Sequence, residues 1–144
     1  MSYTQSKAQN ALGTTIGIGA TPTIIGEVTS IKQSGAKNEL EEVTNLQSTA
    51  KEWIGTLPDP GEWQIEGNRV SSDAGQVAVE TAFASAATSQ FTIQLPKTGS
   101  QTTGDKYTFN GIVVERDFSF DTGKKMPFTA KIKVTGSITF TQGS

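Results

Sequence analysis

Polar and apolar positions alternate with period two through most of this chain and take helical spacing in one place. "GEWQIEGN" sets Trp63 and Ile65 between Glu62, Gln64 and Glu66, which predicts a half-buried strand over Glu62–Asn68. "QFTIQLP" alternates Phe91, Ile93 and Leu95 against polar partners until Pro96 ends it. Tyr107 to Phe120 reads as a long strand or a bent pair, and Phe128, Ala130, Ile132 and Val134 alternate inward after the turn "FDTGKKMP". A turn centred near Gly123 sets Phe118 opposite Phe128 and Glu115 opposite Lys131. Apolar then meets apolar on one face and opposite charges meet on the other, so both faces agree on one register. "SITF" adds a last short strand, while Thr23–Lys32 and Leu40–Leu46 predict strands upstream.

Helical spacing is confined to "SSDAGQVAVETAFASAA" and predicts one α-helix over about residues 73–87. Asp73 can cap it, with Gln76 three positions on as the capping-box partner. Ala78, Val79, Ala82, Phe83 and Ala86 form one stripe, and the alanines in it let the helix lie close against a sheet.

Between Leu40–Leu46 and Glu62–Asn68 runs a connection, residues 47–61, far longer than a hairpin needs. It carries Trp53, Ile54 and Leu57 just ahead of Pro58 and Pro60. Such an apolar patch on a loop either folds back over its own core or docks onto a neighbouring subunit; the second is the preferred expectation. The candidate subunit-interface residues are Thr49, Lys51, Trp53, Ile54, Leu57, Pro58 and Asp59. Residues 1–20, small, polar and glycine-spaced, predict a flexible N-terminal arm, which leaves 21–144 as a single domain with an extended hairpin loop.

Composition narrows the chemistry. The 144 residues fit one domain, 34% are hydrophobic, and threonine, suited to strands with one wet face, outnumbers every other type. A net charge of −2 and a pI near 5.1 oppose a phosphate-gripping nucleic-acid binder. No stretch is apolar enough to span a bilayer or to serve as a signal peptide, so no membrane role is expected. Histidine and cysteine are both absent, which removes histidine-dependent triads and the usual zinc and copper ligand sets. Gly17 and Gly19 hint at a dinucleotide loop, but Pro22 stands where its third glycine belongs.

Carboxylates gather at Glu39, Glu41 and Glu42 and again at Glu115, Asp117 and Asp121. The second group alternates onto one strand face and could in principle supply a glycosidase pair. A solvated face whose charges prevent mispairing accounts for it equally and more simply. Calcium-loop spacing is missing, and Arg69 and Arg116 read as lone cations that need no special explanation. The expectation is a non-enzyme without cofactor or metal.

Five stretches in order, "EVTNLQSTAKEW" (Glu42–Trp53), "DPGEWQIEGN" (Asp59–Asn68), "DAGQ" (Asp73–Gln76), "YTFNGIV" (Tyr107–Val113) and "IKVTGSITF" (Ile132–Phe140), resemble the major tail tube protein of lambda-like bacteriophages with long, non-contractile tails. The resemblance implies a mainly-β fold, a β-sandwich or partial barrel with one flanking helix, whose sheets join into a ring-wide β-barrel. It implies stacked hexameric rings forming a conduit for genome ejection, located in the virion tail and made in the host bacterial cytoplasm. Tape-measure, tail-tip and terminator proteins are the implied partners, and DNA passes through the lumen without specific binding. Glu115 and Asp117 are candidate lumen-facing residues. Some members carry an immunoglobulin-like domain after the tube domain; this chain stops at Ser144, and a plainer outer surface is expected. The alternatives are a tail terminator or tip-proximal ring protein of the same fold, or a tail-tip carbohydrate-binding module.

Overall fold

In the computed structural model, which describes residues 9–144, the period-two stretches join into one antiparallel sheet. Its strands are β1 (Thr15–Ile18), β2 (Thr23–Ile24), β3 (Val28–Ser34), β6 (Glu62–Asn68), β7 (Ser89–Gln94), β8 (Lys106–Phe118) and β9 (Pro127–Thr141). The seven-stranded order is β2-β1-β7-β8-β9-β6-β3, and a separate two-stranded sheet pairs β4 (Leu40–Glu42) with β5 (Trp53–Gly55). Among the described residues the one helix is α1 (Ala74–Ser85).

One face of the large sheet is the core. Ile16, Ile65, Phe91 and Ile132 are fully buried there, joined by Phe128, Ala130 and Val134 as the alternation requires. Trp63 stacks on Phe109 with ring centroids 5.6 Å apart, and Phe109 stacks on Phe91 at the same distance, tying the middle of the sheet together. The register read from the sequence is the one formed: Phe118 pairs with Phe128 and Glu115 with Lys131. A bulge between Val113 and Glu115 buries the first residue and exposes the second.

Helix α1 lies against the core face through Val79 and Ala82. Its approach is close enough that a Cβ on Gly75 would stand 2.3 Å from the Ile24 carbonyl oxygen, so only glycine fits. Asp73 caps the helix as expected, its Oδ2 accepting from the Gln76 amide at 2.9 Å. Gln76 does not complete a capping box. Its Oε1 accepts from the Val70 amide at 2.9 Å, and its Nε2 donates to the carbonyls of Gly26 at 3.0 Å and Asn68 at 2.9 Å. A buried amide that satisfies three backbone groups is held more firmly there than at a solvent-facing cap. Ala86 takes a left-handed conformation and ends the helix, exposed, instead of extending the apolar stripe.

Three further expectations change. Thr23–Lys32 is not one strand: Ile25 dips into the core, and Glu27 turns at φ 57° before β3 begins. "SITF" is the end of β9 rather than a strand of its own, with Tyr107 paired to Phe140 beyond a second bulge. Within the expected N-terminal arm, residues 1–8 lie outside the described residues, but Thr15–Ile18 is strand β1 and buries Ile16 and Ile18. The glycine between those isoleucines hides their alternation, since Gly17 is itself buried on the opposite face, where a Cβ would meet Pro22 at 2.7 Å.

Candidate functional site: a free-standing hairpin arm

The connection that looked like a long loop is the distal part of a β-hairpin running over residues 35–61. It leaves the large sheet after the last β3–β6 pair, Ser34 with Glu62. Gly35 at φ 77° and Gly61 at φ 79° then both take left-handed backbone, which redirects the two strands together. A Cβ on Gly61 would lie 2.2 Å from the Ser34 carbonyl oxygen, so the turn-out depends on this glycine.

Pairing resumes beyond the bend. Lys37 and Asp59 exchange backbone hydrogen bonds of 2.9 and 2.8 Å, and β4 then pairs Leu40 with Gly55, Glu41 with Ile54 and Glu42 with Trp53. The Val43 amide donates to the Glu52 carbonyl at 2.9 Å, and Asn45 and Ser48 close the tip through reciprocal bonds of 3.0 Å. The strand expected over Leu40–Leu46 therefore stops at Glu42, because the polar tip chemistry takes over at Thr44.

Asp59 pins the base. Its Oδ1 accepts from the Gly61 amide at 2.9 Å and lies 3.8 Å from Lys133 Nζ on β9. The Gly61 hydrogen bond, then Lys133 and least of all Lys37, hold this carboxyl below its ordinary value of 3.8 against the opposing effect of burial.

The arm does not fold back over the core. Trp53 remains 52% exposed, Ile54 48% and Leu57 86%, and Leu40 and Leu46 are open as well. Period-two geometry puts Leu40, Glu42 and Trp53 on one face, and Glu41, Val43, Glu52 and Ile54 on the other. Thr49 and Lys51 sit exposed in the tip turn, Pro58 is exposed near the base, and Asp59 is half-buried there. Sequence reasoning read Ser34–Gly35 as a turn but missed Leu40, Leu46 and the part of Gly61; Gly35 and Gly61, flanking the excursion symmetrically, were the available signal. At the base a groove of about 610 Å³ runs between Ala36–Asn38, Leu57–Pro60 and Gly136–Ile138.

The wet face of the sheet, opposite α1, carries Glu115 and Asp117, both exposed. Glu115 pairs with Lys131 at 3.3 Å, and Glu62 lies across from Lys133 in register, while Asp117 and Glu66 both stand opposite Thr129. Asp121 is not part of the row: it lies in the β8–β9 turn, where Ser119 Oγ donates to it at 3.2 Å. Arg69 and Arg116 are not lone cations either. Both pair with Glu80 of α1, Arg69 at 3.3 Å, and both lie 4.7 Å from the Phe118 ring centroid, on β8 beneath the helix. Residues far apart in sequence thus lock α1 to the sheet, a convergence that no local pattern announces. Among the described residues, no three His, Cys, Asp or Glu side chains come together in a metal-binding group, and no helix is long and apolar enough to cross a membrane.

No family model and no curated protein matches the chain. Solved structures do. A chain from the tail of an empty gene transfer agent particle with C6 symmetry superposes at a TM-score of 0.70, with 18% identity over 93% of this chain and 99% of that one. The tube-terminating cap of the anti-feeding prophage gives 0.72, with 8% identity over 99% and 96%. The SPP1 tail tube gives 0.62, with 14% identity over 94% and 80%. The curled antiparallel sheet with one flanking helix is the fold of subunits that build phage-like tail tubes and their caps.

Proposed function

We propose that this chain is the repeating structural subunit of a phage-type tail tube, assembling into hexameric rings that stack into a conduit for genome ejection. The observation that carries the reading is the arm: a hydrogen-bonded hairpin that exposes Trp53, Ile54 and Leu57 without covering its own core. An isolated subunit gains nothing from such a projection, whereas a neighbour that covers it gains apolar burial. The sheet supports the same reading at its edges. Among the described residues strand β3 pairs with β6 alone, and β2 is two residues long, so a copy on either side can extend the sheet.

The wet face of the sheet then lines the lumen, with Glu115 and Asp117 among its residues. Lys131 and Lys133 on this face stand opposite Glu115 and Glu62, and Asp117 adds a further acid, so passing DNA meets no excess of basic charge there. The work done is assembly and passive conduction, not catalysis. Tape-measure, tail-tip and terminator proteins are the partners of such a tube, and the virion tail is its location. The likeness to the anti-feeding prophage cap favours one second reading, a terminator that forms a single ring and stops.

Negative-stain electron microscopy of the purified protein over a concentration series, with and without added tail tips, tests both. Hollow tubes of stacked rings are expected. Rings that never stack establish the terminator reading, and monomers that persist with tips present overturn the proposal.

A further inference from the structure

The hairpin is paired along its own length but lightly tied to the rest of the subunit. Beyond the bend the amides of Lys37, Thr56 and Val43 donate to the carbonyls of Asp59, Glu39 and Glu52, at 2.9, 2.8 and 2.9 Å. Between the last sheet pair, Ser34 with Glu62, and the first arm pair, Lys37 with Asp59, stand Gly35 and Ala36 on one strand and Pro60 and Gly61 on the other. No ladder pair joins these four among the described residues, and Pro60 has no amide to donate. The Gly61 carbonyl accepts from the Val134 amide at 3.3 Å and so belongs to the sheet, which leaves the bonds before it to turn.

Two polar side-chain contacts span this gap among the described residues. Gln33 Nε2 donates to the Pro60 carbonyl at 3.2 Å, and Asp59 Oδ1 stands 3.8 Å from Lys133 Nζ on β9. The other charges around the pair are Glu62, opposite Lys133 in register, and Lys37 beside Asp59, which Glu39 engages at 3.3 Å within the arm. The groove between the arm base and Gly136–Ile138 leaves open space on the β9 side.

We propose that the arm is an articulated lever: it turns as an intact hairpin about Gly35 and Gly61, and the Asp59–Lys133 ion pair latches it in the orientation described. The inference stands on the geometry of one subunit and is independent of the tube reading. A break in both strands, with a glycine on each, absorbs the backbone rotation that the paired segments on either side resist. The latch is half-exposed, so water and salt weaken it, and the latched and swung orientations lie close in free energy. One ion pair at the base thereby aims Trp53, Ile54 and Leu57 at the far end of the hairpin.

Residual dipolar couplings of isotope-labelled protein test it, at concentrations where sedimentation shows a monomer. Wild-type amides of arm and sheet should fit one common orientation. Lys133→Ala should shrink the arm's couplings together, by roughly a factor of two or more. The Val43 and Thr56 amides should stay protected from hydrogen exchange, because the hairpin remains paired. Lys133→Arg, which keeps the charge, should restore the common fit, and high salt should loosen wild type while leaving Lys133→Ala unchanged. Three results overturn the latch: wild-type couplings that share no orientation, couplings unchanged in Lys133→Ala, or a Lys133→Arg variant that fails to restore them. Lost protection at Val43 and Thr56 overturns the lever, since the arm would then be unpairing, not turning.

Discussion

Gln76 offers the sharpest test of how the fold is held. Its buried amide joins the Ile25–Glu27 turn, the end of β6 and the start of α1, through bonds of 2.9, 3.0 and 2.9 Å to Val70, Gly26 and Asn68. Gln76→Ala strands one amide and two carbonyls. At about 1 kcal/mol net for each bond, the expected loss is about 3 kcal/mol, a large share of the roughly 5–15 kcal/mol that holds a domain together. Urea unfolding at concentrations too low for assembly should show the midpoint falling with an unchanged slope. Gln76→Glu separates hydrogen bonding from packing. It keeps the shape and the acceptor for Val70 but turns a carboxylate oxygen toward two carbonyls. That repulsion raises the folded pKa of the new carboxyl above its unfolded value. The variant is therefore closest to wild type below about pH 4 and loses stability as pH rises through the folded pKa. A Gln76→Ala variant within about 0.5 kcal/mol of wild type, or a Gln76→Glu variant with no added pH dependence, would refute the tether.

Other expectations concern the arm and the helix. Trp53→Ala should leave the unfolding midpoint nearly unchanged, because the ring touches little of its own subunit. With about 100 Å² of a half-exposed indole left for a neighbour to cover, at about 25 cal/mol per Å², the concentration needed for assembly should rise roughly 50-fold. Outright unfolding would place the arm in the subunit's own core instead. Asp59 has its carboxyl depressed below 3.8, so its hold on the arm base is complete above that value and lost as pH falls through the lower folded value. Nuclear magnetic resonance titration should show the Gly61 amide shifting in that acid window, and Asp59→Asn should abolish the shift. Glu80→Gln leaves Arg69 and Arg116 facing each other over Phe118 without a counter-charge; with the three side chains about a third exposed, a loss of about 1–2 kcal/mol is expected in thermal unfolding, and no loss would show the cluster to be incidental.

Period-two alternation by itself determined the strands around Trp63, Phe91 and Phe128, and the match of Phe118 with Phe128 and Glu115 with Lys131 gave their register, because a slip of one residue would invert every side chain. Asp73 likewise marked the start of α1, since capping is local chemistry. The hairpin's existence was legible from its length and its tryptophan, but its pairing was not. Two glycines with positive φ and a polar tip replace the alternation that would have betrayed β4 and β5. Strand β1 escaped notice because Gly13, Gly17 and Gly19 break its pattern, while its burial comes from β7 and α1, far along the chain. Only tertiary structure decided that Gln76 would tether three backbones and that Glu80 would gather two arginines. Each depends on groups remote in sequence meeting in space, and residue spacing carries no record of such meetings.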